Sequence, residues 1–184
     1  DYEDCMDLVE KMVREVAEKV GALQVDWGGM DIDLSKPFAR VPMLKLLKDA
    51  TGCDLGDVSD DEIQAVCKKN KIEVGETWNY GQMLAELTSK LVEPNLIQPT
   101  LIIDYPKAIS PLAKVHRNGD PNLVERYELF IGGAEFADSF SELNDPVDQR
   151  ERLEAQAALK EKRDGEAQPV DEQFIQAMEC GMPP

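Results

Sequence analysis

Between Glu128 and Asp145 the sequence reads ELFIGGAEFADSFSELND, eighteen residues that hold five carboxylates, Glu128, Glu135, Asp138, Glu142 and Asp145, among Phe, Ile and Leu. The pattern reads as sheet, and an unpaired carboxylate buried in sheet is costly. These acids either face water or gather around something cationic. If Gly132 and Gly133 form a two-residue turn, Ile131 pairs with Ala134, Phe130 with Glu135 and Glu128 with Ala137. Glu128 and Glu135 then share one face as diagonal neighbours, roughly 7–8 Å apart at the backbone. Two flexible carboxylates at that spacing can converge on one hard cation, and Mg2+ is usually held by one or two acids together with phosphate oxygens. Strict alternation sends Asp138, Phe140 and Glu142 to the opposite face. A bulge near Ala137 or Ser139 would return them to the face of Glu128 and Glu135. On the residues alone, a metal site and a solvated sheet face both stay open.

The elements around this hairpin follow from periodicity. Apolar residues at Cys5, Leu8, Val9, Met12, Val13, Val16 and Val20 predict a helix stopped by Gly21, with Val9 to Val16 in the core. LQVDWGGMDIDL predicts a hairpin turning at Gly28 and Gly29. Helices are predicted from about Pro42 to Ala50, from Asp60 to Asn70 behind a Ser59–Glu62 capping pattern, and from Tyr80 to Val92. Residues 42–93 read as a small helical insert. PTLIIDYP is a buried strand, and SPLAKVHRNGDPN is a loop in which His116 is solvated. A helix starts at Asn144-Asp145-Pro146 and runs to about Lys162; RDGEAQP is a loop, and a last helix begins at Asp171 and closes at Gly181. Hairpin-linked strands with helices between them indicate an α+β fold, an antiparallel sheet flanked by helices.

Composition narrows the function. The 184 residues suit one domain, and 37 acidic against 20 basic side chains give a net charge of -17. Such acidity argues against a phosphate-binding surface on this segment. The cysteines at 5, 53, 67 and 180 form no CxxC pair and His116 is the only histidine, so neither a structural zinc site nor a disulfide framework is indicated, and a reducing compartment fits best. No apolar stretch has the length of a membrane helix. The chain has no initiator Met, opens inside a helical pattern and stops at CGMPP, which suggests a fragment.

Three stretches, LIQPTLIIDYPKAISPLAK, ERYELFIGGAEFADSFSELNDPVDQRERLEAQ and VDEQFIQAMECGMPP, resemble the class II lysyl-tRNA synthetases. DYEDCMDLVEKM resembles the helix after that family's motif 2, and GMPP the approach to motif 3. The resemblance covers essentially the whole chain; it is most specific over 96–150 and weakest over 53–75. It implies an antiparallel-sheet catalytic domain that binds ATP, lysine and the 3′ end of tRNA(Lys), in a cytoplasmic homodimer. It also implies that the N-terminal anticodon-binding domain, the motif 2 arginine and the motif 3 arginine lie outside these residues, so that the fragment alone is inactive and no catalytic residue falls within it. Carried over position by position, Glu128 and Glu135 match the acids that hold Mg2+ on the ATP phosphates. Glu142 matches the acid facing the lysine ε-ammonium, a charge-assisted pair neutral competitors cannot make, and Phe140 matches an aromatic wall of the lysine pocket.

Asp138 departs from the resemblance. The family usually has Asn there, whose amide reaches the lysine carboxylate; an Asp would face another carboxylate unless protonated or turned to the metal. Ala108 stands where the family often has Glu. Two rival readings stay in play: a paralogue that passes lysine to a protein or lipid, distinguishable by the sequence upstream of Asp1, and a non-catalytic interaction module.

Overall fold

The structure, a computed structural model, describes residues 1–161 and 170–181. The predicted RDGEAQP loop and the MPP end, with Lys162, lie outside the described residues.

Every α-helix but the one that follows Pro42 directly starts on a side-chain cap that satisfies otherwise orphaned N–H groups. Asp1 caps α1 (Tyr2–Lys19), with Asp4 closing a capping box. A hairpin follows, β1 (Gln24–Trp27) with β2 (Met30–Asp33), turning at Gly28 and Gly29 as predicted. A short strand, β3 (Ala39–Pro42), then leads into α2 (Met43–Thr51). Ser59 and Glu62 form the predicted capping box of α3 (Asp60–Lys69), and Asn79 with Gln82 that of α4 (Tyr80–Leu91). The chain continues through β4 (Thr100–Pro106), β5 (Leu123–Ile131) and β6 (Ala134–Phe140) to α5 (Pro146–Glu161) and α6 (Glu172–Glu179).

The main sheet has the order β3-β4-β5-β6. Its β4-β5 and β5-β6 pairs are antiparallel, and the fold is α+β as the patterning indicated. The β3-β4 pair at one edge is parallel. ARVP is too short to show alternation, and β3 was not predicted.

The two faces of the sheet carry different cores. On one, Ile102, Tyr105, Val124 and Phe130 pack with Met43, Leu47, Ile63, Cys67, Met83, Leu84 and Leu87 of α2, α3 and α4. The helices within residues 42–93, the stretch that reads as a small helical insert, pack on the sheet through this core. On the other face, Leu101, Tyr127, Leu129 and Ile131 pack with Tyr2, Met6 and Val9 of α1 and Ile32 of β2. The α1 expectation needs correction here. Its buried line is Tyr2, Met6, Val9 and Ala17, while Met12 and Val16, expected in the core, are exposed with Leu8 and Val20. Helical periodicity defined the apolar arc correctly, but the sheet takes only one flank of it.

His116 also differs from expectation. Its side chain is 12% exposed, with Nε2 3.2 Å from Asp104 Oδ1 and 3.3 Å from the Tyr2 hydroxyl. A contact 114 residues away in sequence is invisible to local reading.

Candidate functional site

The site is built on the β5-β6 hairpin. Gly132 and Gly133 both have positive φ, 60° and 75°, as a type I′ turn requires. Their N–H groups donate to the carbonyls of Ile97 and Leu96, which ties the turn to the segment before β4. A Cβ on Gly132 would come within 3.0 Å of the Trp27 ring.

Ile131 pairs with Ala134 and Phe130 with Glu135, as predicted. The register then slips. Leu129 pairs with Ala137 and Glu128 with Asp138, correcting the expected Glu128–Ala137 pair. The extra residue is Phe136, one position before the range predicted for the bulge. Its ring meets Trp27 edge-on, with centroids 5.6 Å apart. This bulge brings Asp138 and Phe140 to the face of Glu128 and Glu135 as predicted, while Glu142, expected with them, lies past the end of β6 and outside this ladder.

A bulge in the β4-β5 ladder, two residues of β5 opposite one of β4, adds an aromatic to that face. The register jumps between Ile103 and Tyr105 across Asp104, whose φ is 56°. Tyr105 therefore pairs with Val124 and falls on the face of Val124, Arg126 and Glu128. The Tyr2 hydroxyl donates to Asp104 Oδ1 at 3.2 Å, so this strained residue is held from α1.

Arg126, which sequence reasoning passed over, lies at the centre. It sits 4.8 Å from the Tyr105 ring centroid and contacts Glu128 and Asp138. The available signal was its position two residues before Glu128 on the same strand face. Burial pushes the Glu128 carboxyl above its ordinary pKa; the charges of Glu135 and Asp138 push the same way and Arg126 opposes them. The Tyr105 hydroxyl is buried without a hydrogen-bond partner of good geometry, and burial, then the charge of Glu128, holds its pKa far above the ordinary tyrosine range. Glu93, half-buried, feels the charge of Glu135 and is raised mainly by burial.

The other acids differ in one respect. Glu135 and Glu142 have neither an ion pair nor a side-chain hydrogen bond among the described residues. Glu142 lies beyond β6, its backbone bridged to Ala113, and desolvation raises its carboxyl pKa. Phe140 is partly buried against the core of α2, α3 and α4. Asp145, the fifth acid, caps α5 by accepting from the N–H groups of Val147 and Asp148. Ala108 lies in a short turn pressed on α4, where a Cβ on Gly81 would meet its carbonyl oxygen at 2.9 Å.

Among the described residues, no group of three or more His, Cys, Asp or Glu is set to hold a metal ion unaided. Glu128 and Glu135 are nonetheless two oxygen donors on one face, electrostatically coupled. They fit a hard divalent cation that takes its remaining ligands from water and phosphate oxygens. No described helix is long and apolar enough to cross a membrane.

Similarity to known proteins agrees with this arrangement. The family of class II tRNA synthetases (D, K and N) matches residues 1–184. Lysine–tRNA ligases of Staphylococcus aureus strains MRSA252 and MW2 are each 47% identical over the whole chain, and that of strain Mu3 is 46% identical. The chain spans 37% of the length of these relatives. With the match extending from its first residue to its last, the chain belongs to the class II tRNA synthetases of the D, K and N group.

Proposed function

We propose that this chain is part of the catalytic domain of a lysine–tRNA ligase, which activates lysine with ATP and transfers it to tRNA(Lys). The observation that carries the reading is the division among the acids of the hairpin. Glu128 and Asp138 have an internal cation, Arg126. Glu135 and Glu142 have none among the described residues and are free to meet cations that arrive with substrates. The 46–47% identity to lysine–tRNA ligases supports the substrate choice.

In this reading Glu128 and Glu135 would hold Mg2+ with the ATP phosphates. Bound there, the cation supplies neutralisation of phosphate charge. Glu142 selects the lysine ε-ammonium, Phe140 walls the aliphatic stem, and the Asp138 carboxylate is turned to Arg126. The protein's contribution is positioning and charge stabilisation, not covalent chemistry. The parent is a homodimer in the cytoplasm, and the anticodon-binding domain and the motif 2 and motif 3 arginines belong to its other residues.

The test is lysine-dependent ATP–pyrophosphate exchange, followed by charging of tRNA(Lys), by the parent protein. Exchange with lysine and not with aspartate or asparagine is the expected result. Exchange with lysine but no charging of tRNA would favour a protein or lipid acceptor, and no exchange with lysine would end the reading.

A further inference from the structure

The carboxylate face carries a resident cation whose bonding is complete. A guanidinium has five N–H donors, and Arg126 uses every one. Nε donates to Asp138 Oδ1 at 3.0 Å. Nη2 donates to Asp138 Oδ2 at 3.0 Å and to Glu128 Oε1 at 2.6 Å. Nη1 donates to Ser110 Oγ at 3.0 Å and to the Ile109 carbonyl at 3.3 Å. The Tyr105 ring stacks against the guanidinium, and the register shift opposite Asp104, where Glu125 and Arg126 of β5 face one residue of β4, puts Tyr105 on this face. A side chain held on five bonds and one ring has a single orientation, so the groups it holds inherit that orientation.

We propose that Arg126 is a positioning residue: it aims the Glu128 carboxylate for metal–nucleotide binding and draws the Asp138 charge out of the amino-acid pocket. The inference rests on the functional reading above. It assigns Asp138 a task different from that of the Asn it replaces. An Asn in that place has an N–H to offer an incoming carboxylate, whereas Asp138 spends both oxygens on Arg126, whose charge offsets part of its repulsion of one.

Arg126→Lys keeps the positive charge but replaces a planar five-donor fork with three donors on one nitrogen. In the parent protein, Mn2+ binding is followed by electron paramagnetic resonance with a non-hydrolysable ATP analogue, and lysine binding by calorimetry. Arg126→Lys should weaken Mn2+–nucleotide binding on the order of 10-fold or more, the usual effect of losing a group that orients a metal ligand. Lysine binding should weaken less, by about 3-fold, because an Asp138 no longer held by the fork turns its charge toward the incoming carboxylate while Glu142 and Phe140 are untouched. Ser110→Ala removes one acceptor and spares the fold; it should give a smaller loss in the same direction and serves if Arg126→Lys does not fold. Unchanged Mn2+–nucleotide affinity in a folded Arg126→Lys protein, or in Ser110→Ala where Arg126→Lys is lost, overturns the proposal. Wild-type exchange activity keeps the two claims apart. An active wild type with unaffected variants sinks only the role of Arg126, while an inactive wild type sinks the functional reading.

Discussion

Arg126 and Asp138 meet across the β5-β6 ladder through two parallel hydrogen bonds, Nε to Oδ1 and Nη2 to Oδ2, each 3.0 Å long. The two residues are diagonal neighbours, since Arg126 pairs directly with Phe140 and Asp138 with Glu128. A forked, charge-assisted pair is geometrically selective, and Asp138 is 34% exposed, so water screens part of its strength. A double-mutant cycle with Arg126→Met and Asp138→Asn, read by denaturant unfolding of the 184-residue chain, should give a coupling of about 1–2 kcal/mol. A coupling within error of zero would mean that the pair is not held in solution.

Glu135→Gln in the parent protein should raise the Mg2+ concentration needed for half-maximal ATP use on the order of 10-fold, with KM for lysine little changed. Glu135 has no cation partner among the described residues, so its replacement by an amide breaks no internal ion pair and should leave the melting temperature close to wild type. If Mg2+ dependence is unaltered, the acid is part of a solvated sheet face and nothing more.

How much of this was legible in the sequence depends on whether the cause was local. The Gly132-Gly133 turn fixes the first two pairs of the hairpin by its own backbone geometry, and those pairs were read correctly. The bulge was anticipated, but its position at Phe136 is set by a ring contact with Trp27, on a separate hairpin. Arg126 read as one more strand residue because its value lies in partners at 109, 110, 128 and 138. The burial of α1 was misjudged for a related reason. An amphipathic period shows which arc is apolar, but Met12 and Val16 are exposed because no described element covers that flank. His116 took its surroundings from Tyr2 and Asp104, both far away in the chain.

Arg152 illustrates a second resident cation, this one structural. It is almost fully buried and donates to Asp148 Oδ1 at 2.9 Å, Asp148 Oδ2 at 2.6 Å and the Ala113 carbonyl at 2.7 Å. Arg152→Met should destabilise the chain at pH 7 by ~2–4 kcal/mol, through a carbonyl left without its donor and a carboxylate left with only Lys107 Nζ, 3.4 Å away. Arg152, first among the causes, holds the Asp148 carboxyl below its ordinary pKa. The unfolded state therefore takes up a proton first as pH falls. The stabilisation is present above the ordinary Asp range, about 4, and is lost as pH falls through the depressed folded value. The gap in melting temperature between wild type and Arg152→Met should thus narrow below about pH 4. A gap that is constant down to pH 2.5 would assign the loss to packing alone.

The 184-residue chain by itself should show no lysine-dependent ATP–pyrophosphate exchange. Transfer at a phosphate needs cations placed on the developing charge, and each arginine among the described residues is already engaged. Arg14 pairs with Glu10, Arg40 with Asp7, Arg117 with Glu125, Arg126 with Glu128 and Asp138, Arg150 with Glu172, and Arg152 with Asp148. Exchange by the pure chain above a buffer control would show that it holds a complete active site.

Amino-acid choice rests on Glu142. A helix-capping role is already taken by Asp145, which accepts from the first N–H groups of α5. The Glu142 carboxylate has no partner among the described residues, and the bridge of its backbone to Ala113 fixes where it sits relative to Phe140 at the end of β6. Glu142 is exposed in this chain and only partly desolvated, which raises its carboxyl pKa; a cation brought beside it would favour the charged form. In the parent protein Glu142→Gln keeps the size of the side chain and part of its hydrogen bonding but removes the charge. The loss in kcat/KM for lysine should be roughly 2–4 kcal/mol, on the order of 30- to 1000-fold. KM for ATP should change little, and the melting temperature should stay near wild type because no internal ion pair is broken. Steady-state kinetics with lysine and with an uncharged isostere of lysine separate specificity from general damage. A charge-selective role predicts that the variant loses lysine activity while its discrimination against the isostere collapses. Equal losses for both substrates would place Glu142 in the scaffold, and the cation it is expected to meet would have to be recognised elsewhere.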